Sequence, residues 1–455
     1  MPILQSIADE IGLSILSKAP RDAHLLILQR GFRLVAYGQS TLVLVQYLNK
    51  LNISDFRIGL FMTLTLVGDV LGSLVLTLFA DKWGRRKVLT IGCGLMVSSG
   101  LVFCTSGSYF ILLLAAIFGV ISPSGNEIGP FKAIEESTLA TLIPKEHRST
   151  IFAWYGLFSA FSASLGSLTA GHITQYLQNE AFWSEIDSYR FVFAMYAMWG
   201  IIKGGLTLLL SDRCEVDGAS AQQKANPPGE ENSRDGTADQ VPLLERGENG
   251  QPAPIPKEPP RNALGLTQET KEKVITLGLL FGLDNTASGL VPLSFVIYYF
   301  STRFSLDPGT LGTTFFTTSV VAALSNLVAA SLSRRIGNVK TMAFTHLPSA
   351  VFLSMIPLAS TFTVARALLI ARFCTAQMDG APRSAFLANY IPDKERTSVM
   401  GIINVVKTIC QSFGPSVTGY LAGRGWIRFS FMAAGAMKAS YDLMILYFFS
   451  KASIQ

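Results

Sequence analysis

Long apolar segments recur along this chain and constrain its fold more than any other feature. Runs such as Leu95 to Val102, Ile111 to Val120 and Leu206 to Leu210 belong to segments of about 20 residues, the length an α-helix needs to cross a bilayer. Only 15% of the residues are charged and 49% are hydrophobic, whereas soluble domains carry roughly 25% charged residues. The chain is therefore predicted to span a membrane repeatedly.

Apolar runs separated by polar breaks predict twelve transmembrane helices. Their approximate bounds are 25–48, 57–80, 88–105, 109–132, 150–172, 190–210, 274–300, 309–332, 339–358, 363–386, 397–421 and 428–450. The expected fold is an all-α membrane protein with two six-helix bundles, at 25–210 and 274–450. Residues 1–24 and 451–455 are expected to be short flanking segments.

Residues 211–273 separate the two bundles and differ from them in composition. The segment is rich in Pro, Gly, Glu, Asn and Gln and has almost no aromatic residues. Such a composition buries too little apolar surface to fold, so it predicts a disordered cytoplasmic linker.

The basic residues of the loops predict the orientation in the membrane. If the N-terminus is cytoplasmic, the outer loops hold only six basic residues, Lys50, Arg57, Arg190, Arg303, Arg424 and Arg428. The inner loops then hold Lys82, Arg85, Arg86, Lys87, Lys145, Arg148, Arg334, Arg335, Lys340, Lys394 and Arg396, besides those of the linker. Both termini are therefore predicted to be cytoplasmic.

The two predicted bundles are related by an internal repeat. A shift of 248 residues places LATLIPKEHRS over LANYIPDKERT and aligns Gly166 with Gly414 without a gap. A shift of 253 places LNISDFRIG over FSLDPGTLG and Gly84 over Gly337. Both copies keep the same sense across the membrane, so the bundles are predicted to be parallel repeats related by an axis along the membrane normal.

Several other classes of function lack support in the sequence. The net charge of +6 comes from basic residues in short loops rather than on one face, which argues against nucleic-acid binding. The five cysteines show no paired spacing and the four histidines are scattered, so neither a metal site nor a catalytic cluster is expected. No nucleophile–base set suggests an enzyme, and no filter loop suggests a channel.

The loop ADKWGRRKVL lies between the second and third predicted helices. Here Asp81 ends a helix, Gly84 allows a turn, and three basic residues, Arg85 to Lys87, follow. Such an arrangement can join two helices through charge-assisted hydrogen bonds at the cytoplasmic face. The alternative is that the basic residues only enforce orientation.

This loop resembles the signature GxLaDrxGRkxxl of the major facilitator superfamily, although Thr77 stands at the first glycine. The resemblance implies a cytoplasmic gate latch in which Asp81 meets the start of helix eleven. It also implies that Arg85 bonds an acid at the inner end of helix four, either Glu135 or Glu136. The predicted latch residues are Asp81, Gly84, Arg85, Arg86, Glu135 and Glu136. In the second half, the position equivalent to Asp81 is occupied by Arg334, so the latch motif is not conserved between the two halves.

Ionisable residues at mid-depth in the predicted helices are candidates for a solute or proton cavity, since such groups are costly in lipid. The candidates are Arg33, Asp69, Glu127, Asp284, Arg372, Asp379 and Lys407. In the family, helices one, four, seven and ten line the central cavity, which by resemblance places all of these there except Asp69 and Lys407. The alternative is that they form buried ion pairs. Lys438 and Asp442, four residues apart, are expected to neutralise each other.

Glu127 is the first candidate for proton coupling. Gly125, Gly129 and Pro130 surround it and loosen the helix. A carboxylate in a low-dielectric cavity can take up and release a proton during a transport cycle. Asp69, Asp284 and Asp379 are alternates.

The resemblance and the charges together predict a secondary transporter of a small solute. Phe413, Gly414, Pro415 and Gly419 resemble a helix of drug–proton antiporters, which favours proton-coupled efflux of a small organic molecule. The alternatives are proton-coupled uptake of an anionic nutrient and a transporter-like sensor without transport. The sugar-porter signature PESPR is absent, since SDRCEV follows helix six.

The protein is expected to be a monomer that crosses the membrane several times. Its partners are a small-molecule solute, protons and the bilayer, without a cofactor, a metal or nucleic acid. The plasma membrane is favoured over a vacuolar or endosomal membrane, although DQVPLLE in the linker resembles an acidic dileucine sorting signal.

Overall fold

The computed structural model describes residues 13–119, 121, 130–215, 267–392 and 395–449. Glu127 and residues 216–266 of the predicted linker lie outside these ranges. Within α2, the side chains of residues 73–82 also lie outside the description.

The described chain consists of helices joined by short turns. A short helix, Leu13–Ser17, precedes the first half, whose helices are α1 Arg21–Lys50, α2 Asp55–Trp83, α3 Arg85–Thr105, α4a Tyr109–Phe118, α4b Pro130–Leu142, α5 Arg148–Asn179 and α6 Glu185–Leu208. The second half comprises α7a Gln268–Leu290, α7b Leu293–Phe304, α8 Pro308–Ile336, α9 Asn338–Met355, α10a Phe362–Ala376, α10b Gly380–Tyr390, α11 Arg396–Gly423 and α12 Ile427–Phe449. The prediction of an all-α membrane fold with twelve spans in two halves is confirmed.

Five described segments are long and apolar enough to cross a bilayer by composition alone. They are Arg85–Thr105, Thr150–Asn179, Glu185–Leu208, Gln268–Phe304 and Asn338–Leu358. The shorter helix Tyr109–Phe118 is also strongly apolar.

The two ends of the predicted linker are ordered, so the prediction of disorder over 211–273 is wrong there. Residues Asp212–Cys214 form a 3-10 turn, and the Asp22 carboxylate accepts a hydrogen bond of 3.1 Å from the backbone nitrogen of Ser211. At the other end α7a begins at Gln268, and Thr267 donates its backbone N–H to the Glu395 carboxylate at 3.2 Å. These polar caps hold the ends because they satisfy otherwise unpaired backbone groups of the helices.

Glycine contacts show the repeat in three dimensions. A Cβ built on Gly38 of α1 would lie 1.9 Å from the carbonyl oxygen of Ala163 in α5, and a Cβ on Gly289 of α7a would lie 2.2 Å from that of Gln411 in α11. The turns between α2 and α3 and between α8 and α9 are also alike, since Gly84 and Gly337 have φ values of +93° and +86°. Glycine permits these φ values and this closeness of backbones.

The two halves touch closely at the end that carries the 51–54, 180–184, 305–307 and 424–426 loops. A Cβ on Gly59 of α2 would lie 2.3 Å from the carbonyl oxygen of Pro415 in α11. A Cβ on Gly171 of α5 would lie 2.4 Å from the carbonyl oxygen of Pro308 at the start of α8. The Ser416 hydroxyl also donates to the Thr63 hydroxyl at 2.8 Å. The halves are therefore packed together at this end, which the charge pattern predicts to be the outer one.

Candidate functional site

A buried cluster of charges occupies the middle of the second half. The Lys438 ammonium of α12 donates to a carboxylate oxygen of Asp284 in α7a at 2.7 Å and to the Ser288 hydroxyl at 2.8 Å. The Arg383 guanidinium of α10b lies 3.1 Å from the other Asp284 oxygen and also pairs with Asp379. One aspartate thus joins three helices of this half.

His346 of α9 extends the cluster toward α12. Its Nδ1 lies 2.9 Å from both carboxylate oxygens of Asp442, and its Nε2 lies 3.9 Å from Asp284. The expectation that Lys438 and Asp442 neutralise each other is therefore wrong. Lys438 reaches across to Asp284, while Asp442 is engaged by an imidazole from a neighbouring helix. Four-residue spacing permits a pair on one helix but does not require it when stronger partners face the same side chains.

A cavity of about 650 Å³ opens beside this cluster. Its charged and titratable lining residues come from six helices of the second half and the turn between α10a and α10b. Ala160 and Ala163 of α5 contribute the facing wall. Those lining side chains are Asp284, His346, Arg372, Asp379, Arg383, Lys407 and Lys438. The structure thus brings four predicted cavity residues, Asp284, Arg372, Asp379 and Lys407, around one space of a size suited to a small organic molecule.

A second buried cluster lies in the first half. The Arg33 guanidinium of α1 pairs with Glu135 of α4b at 2.6 Å, and the Lys203 ammonium of α6 lies 3.4 Å from the same carboxylate. The Tyr155 hydroxyl donates to it at 3.0 Å, and Lys203 lies 4.0 Å from the ring centroid of Phe131. Since Glu135 has no exposed surface, this is a fully buried ion network.

The two clusters occupy equivalent positions of the repeat, with charges exchanged. Arg33 and Asp284 are 251 residues apart, like Gly38 and Gly289, and Glu135 and Arg383 are 248 apart, like Gly166 and Gly414. The cation is therefore on α1 and the anion on α4b in the first half, whereas the anion is on α7a and the cation on α10b in the second.

The third helix of each cluster keeps its charge. Lys203 and Lys438 are 235 residues apart, as are Gly200 and Gly435. These glycines pack against Val97 of α3 and Ala350 of α9, which are related by the 253-residue shift. Cys93 and His346 are related by the 253-residue shift, and Thr207 and Asp442 by the 235-residue shift. The contact of Cys93 with Thr207, at 3.7 Å, is therefore the equivalent of the contact of His346 with Asp442. The repeat thus preserves the positions of buried polar groups while it changes their chemistry.

The predicted latch loop is held by residues that follow α6. The backbone N–H groups of Arg85 and Arg86 donate to the Glu215 carboxylate at 2.7 and 3.1 Å, and Arg86 pairs with Asp212. An anion at the first turn of α3 satisfies free N–H groups and complements the helix dipole. Glu215 was not among the predicted latch residues.

The buried cluster of the first half includes one of the two predicted partners of Arg85. Of the two predicted acids, Glu135 is held by Arg33, Lys203 and Tyr155. Glu136 is half-exposed and lies 4.0 Å from Arg30 and from Lys132. The pairing of Arg85 with Glu135 or Glu136 and the role of Asp81, whose side chain lies outside the described part, stay predictions.

The remaining cavity candidates have separate places. Arg33 belongs to the first cluster, which matches the alternative of a buried ion pair. Asp69 is buried in α2 with 3% of its surface exposed. Neither is among the described residues that line the 650 Å³ cavity.

Sequence reasoning missed several members of the two clusters as site residues. Lys203 lies within the apolar run GIIKGG, so a lysine in a membrane span was the available signal. Arg383 is not among the candidates from the sequence, although the 248-residue shift makes it the equivalent of Glu135, and the scattered histidines gave no reason to include His346. Nothing in their local spacing shows that they meet Asp284, because the contacts join different helices.

Comparisons with known proteins agree with this architecture. Residues 31–282 and 274–453 match the sequence profile of the Major Facilitator Superfamily. An uncharacterized membrane protein of Saccharomyces cerevisiae, YJR124C, is 35% identical over 436 residues, which cover 95% of this chain and 94% of that protein. The arabinose-proton symporter of Bacillus subtilis is 27% identical over 132 residues, which cover 28% of this chain and 27% of that protein.

A solved structure gives the same result for the fold. The inward open conformation of the xylose transporter XylE from E. coli superimposes with a TM-score of 0.68 at 17% identity, over 93% of this chain and 95% of that chain. The fold and the profile match define an integral, multi-pass membrane protein of the transporter class rather than an enzyme. The chain belongs to the Major Facilitator Superfamily.

Proposed function

We propose that this protein is an alternating-access secondary active transporter that binds a small organic solute in the 650 Å³ cavity of its second half. The observation that carries the proposal is a charged cavity beside two halves that are joined at one end by close glycine contacts. A transporter must seal one side while the solute site communicates with the other. Since the joined end is the predicted outer one, the described state is proposed to face the cytoplasm.

Coupling to protons is the second part of the proposal. Similarity to an arabinose-proton symporter supports it. Two of the residues that could replace Glu127 in this role are Asp284 and Asp379, and their carboxylates are already held by Lys438 and Arg383. Glu127 therefore remains the first candidate. Glu127→Gln is expected to abolish the pH dependence of transport, whereas full transport with unchanged pH dependence would reject this role.

The direction of transport is open to a direct test. The glycine and proline pattern of α11 supports efflux, while the symporter relative supports uptake. In proteoliposomes loaded with a solute, an inward proton gradient drives the solute out of the vesicle through an antiporter and into the vesicle through a symporter. Reversal of the gradient should reverse the movement in both cases.

The experiment that tests the transport function begins with binding. Purified full-length protein is screened by thermal shift against a broad solute library, because a ligand stabilises the state that it binds. Hits are then tested for counterflow uptake into proteoliposomes, with Lys407→Gln as the cavity variant and Arg303→Gln, at the exposed end of α7b, as its control. A solute that binds but is never translocated would support the sensor alternative instead.

A further inference from the structure

Two cations of the cavity have no carboxylate partner within the described part of the chain. Arg372 of α10a and Lys407 of α11 both line the cavity, and neither forms an ion pair within 4.0 Å of a described acid. The Arg372 guanidinium lies 4.9 Å from the ring centroid of Phe373, and the Lys407 ammonium lies 5.8 Å from that of Phe281. In the described part of the chain, both cations therefore lie near aromatic rings rather than near carboxylates.

The other lining charges are already matched. Lys438 and Arg383 are within 3.1 Å of Asp284, and Arg383 also pairs with Asp379. These two basic residues therefore neutralise the two lining aspartates, and His346 is engaged by Asp442 behind the cavity wall. The lining as a whole carries two more positive charges than negative ones, and the excess belongs to Arg372 and Lys407.

Longer-range charges leave the excess at Lys407 in place. The charged groups that act on it include two acids, Asp284 and Asp379, and two bases, Arg383 and Lys132. Their effects oppose each other, and both acids are already shared with other cations. Unmatched cations at membrane depth cost several kcal/mol, so such residues usually serve a ligand or a translocated ion.

We propose that the solute is a small organic anion whose carboxylate or phosphate group is held in the cavity by the positive charges of Arg372 and Lys407. This inference rests on the proposed function and names the substrate class of the same cavity. The planar guanidinium of Arg372 can hold two oxygens of one oxyanion, and the Lys407 ammonium supplies a second positive charge on the cavity lining. Polar lining residues such as Asn285 and Gln411 are available to hydrogen-bond the remainder of the solute.

The test compares matched charged and neutral probes on the full-length purified protein. The probes are succinate with succinamide, gluconate and glucose 6-phosphate with glucose, and choline as a cation, each at millimolar concentration. Anionic probes are expected to raise the thermal midpoint, and the neutral and cationic probes are not. The carboxylate and phosphate arms identify which oxyanion the site prefers.

Substitutions of Arg372 and Lys407 then test whether these two cations bind the anion. Arg372→Gln and Lys407→Gln are each expected to weaken anion binding by at least about tenfold, since a hydrogen bond to a charged group contributes that much. Lys407→Arg retains the charge and should keep most of the affinity. Arg303→Gln should bind as the wild type does. A single symmetric peak in size-exclusion chromatography confirms that each variant is folded.

The outcomes separate this inference from the transport function. If neutral probes bind and are transported while anions are not, or if no anion binds, the anion proposal is overturned. Anion affinity that is unchanged in both glutamine variants also overturns it. If anions bind through Arg372 and Lys407 but never enter proteoliposomes, the anion site stands and the transport function fails.

Discussion

The Lys438 ammonium lies 2.7 Å from a carboxylate oxygen of Asp284, although 154 residues separate them in the chain. Both side chains are buried, with 8% and 6% of their surface exposed. This ion pair fixes α12 to α7a, and Arg383 ties α10b to the same carboxylate. The last described helix is thus connected to the wall of the solute cavity.

Asp284→Asn should destabilise the protein strongly. It would leave Lys438 buried without its counterion, and loss of one partner of a buried pair costs about 3–5 kcal/mol. The measurement is the thermal midpoint of the purified protein in detergent. The double variant Asp284→Asn with Lys438→Gln should recover part of the loss, because the unpaired cation is removed. Equal midpoints for wild type and Asp284→Asn would contradict the interpretation.

Glu135→Gln and Glu136→Gln form a matched pair of adjacent residues. Glu135 is fully buried between Arg33 and Lys203, whereas the Glu136 side chain is 36% exposed and only 4.0 Å from its recorded cations. Loss of the buried anion should cost about 3–5 kcal/mol, and loss of the exposed one no more than about 1 kcal/mol. Chemical or thermal unfolding of both variants gives the comparison. A larger loss for Glu136→Gln would reject the assignment of the buried network.

Gly59→Leu should prevent the close approach of α2 and α11 at the joined end. A Cβ at Gly59 would meet the Pro415 carbonyl oxygen at 2.3 Å and the Gly419 Cα at 2.9 Å, and backbone atoms cannot move aside cheaply. The variant should therefore favour states that are open at this end.

The readout is alkylation of a cysteine introduced by Ser416→Cys, with the modified site resolved by mass spectrometry. Labelling should increase in the Gly59→Leu background. Gly72→Leu on the same helix is the control, because among the described residues no atom outside its own helix backbone and chain neighbours lies within 4 Å of its added Cβ. If both leucine variants label alike, the contact does not seal this end.

Glu215→Gln tests the contact between the α2–α3 loop and the segment after α6. The carboxylate caps the N–H groups of Arg85 and Arg86, and loss of such a cap costs about 1 kcal/mol. Because the loop is a predicted gate element, transport rate should change while expression and insertion stay normal. Glu180→Gln, at the exposed end of α5, is the control, and identical kinetics for all three proteins would leave Glu215 a purely local cap.

Asp81→Asn examines the latch itself. If Asp81 joins the start of helix eleven, the variant should insert normally but cycle at an altered rate in a counterflow assay. The reason is that the amide cannot replace a charge-assisted hydrogen bond. Unaltered kinetics would reduce the ADKWGRRKVL loop to a determinant of orientation.

Sequence patterns predicted the fold well because apolar length and loop charge are local properties. The twelve spans, the two halves and the repeat follow from runs of residues that each helix carries by itself. Mid-depth charge likewise pointed to Asp284, Arg372, Asp379 and Lys407, which line the cavity, because lipid penalises such groups wherever they stand. The same criterion pointed to Arg33, which lies in the ion network of the first half instead.

The pairing of those charges was decided by the tertiary structure alone. Lys438 has Asp442 one turn away, yet it bonds Asp284, and Glu135 meets Arg33 and Lys203 from two other helices. Periodicity shows which residues share a face of one helix, but not which other helix that face meets. The sequence by itself therefore determined the number of membrane spans and their duplication. The packing between helices determined which charges neutralise one another and left Arg372 and Lys407 facing the cavity, because ion pairs form between groups that are close in space.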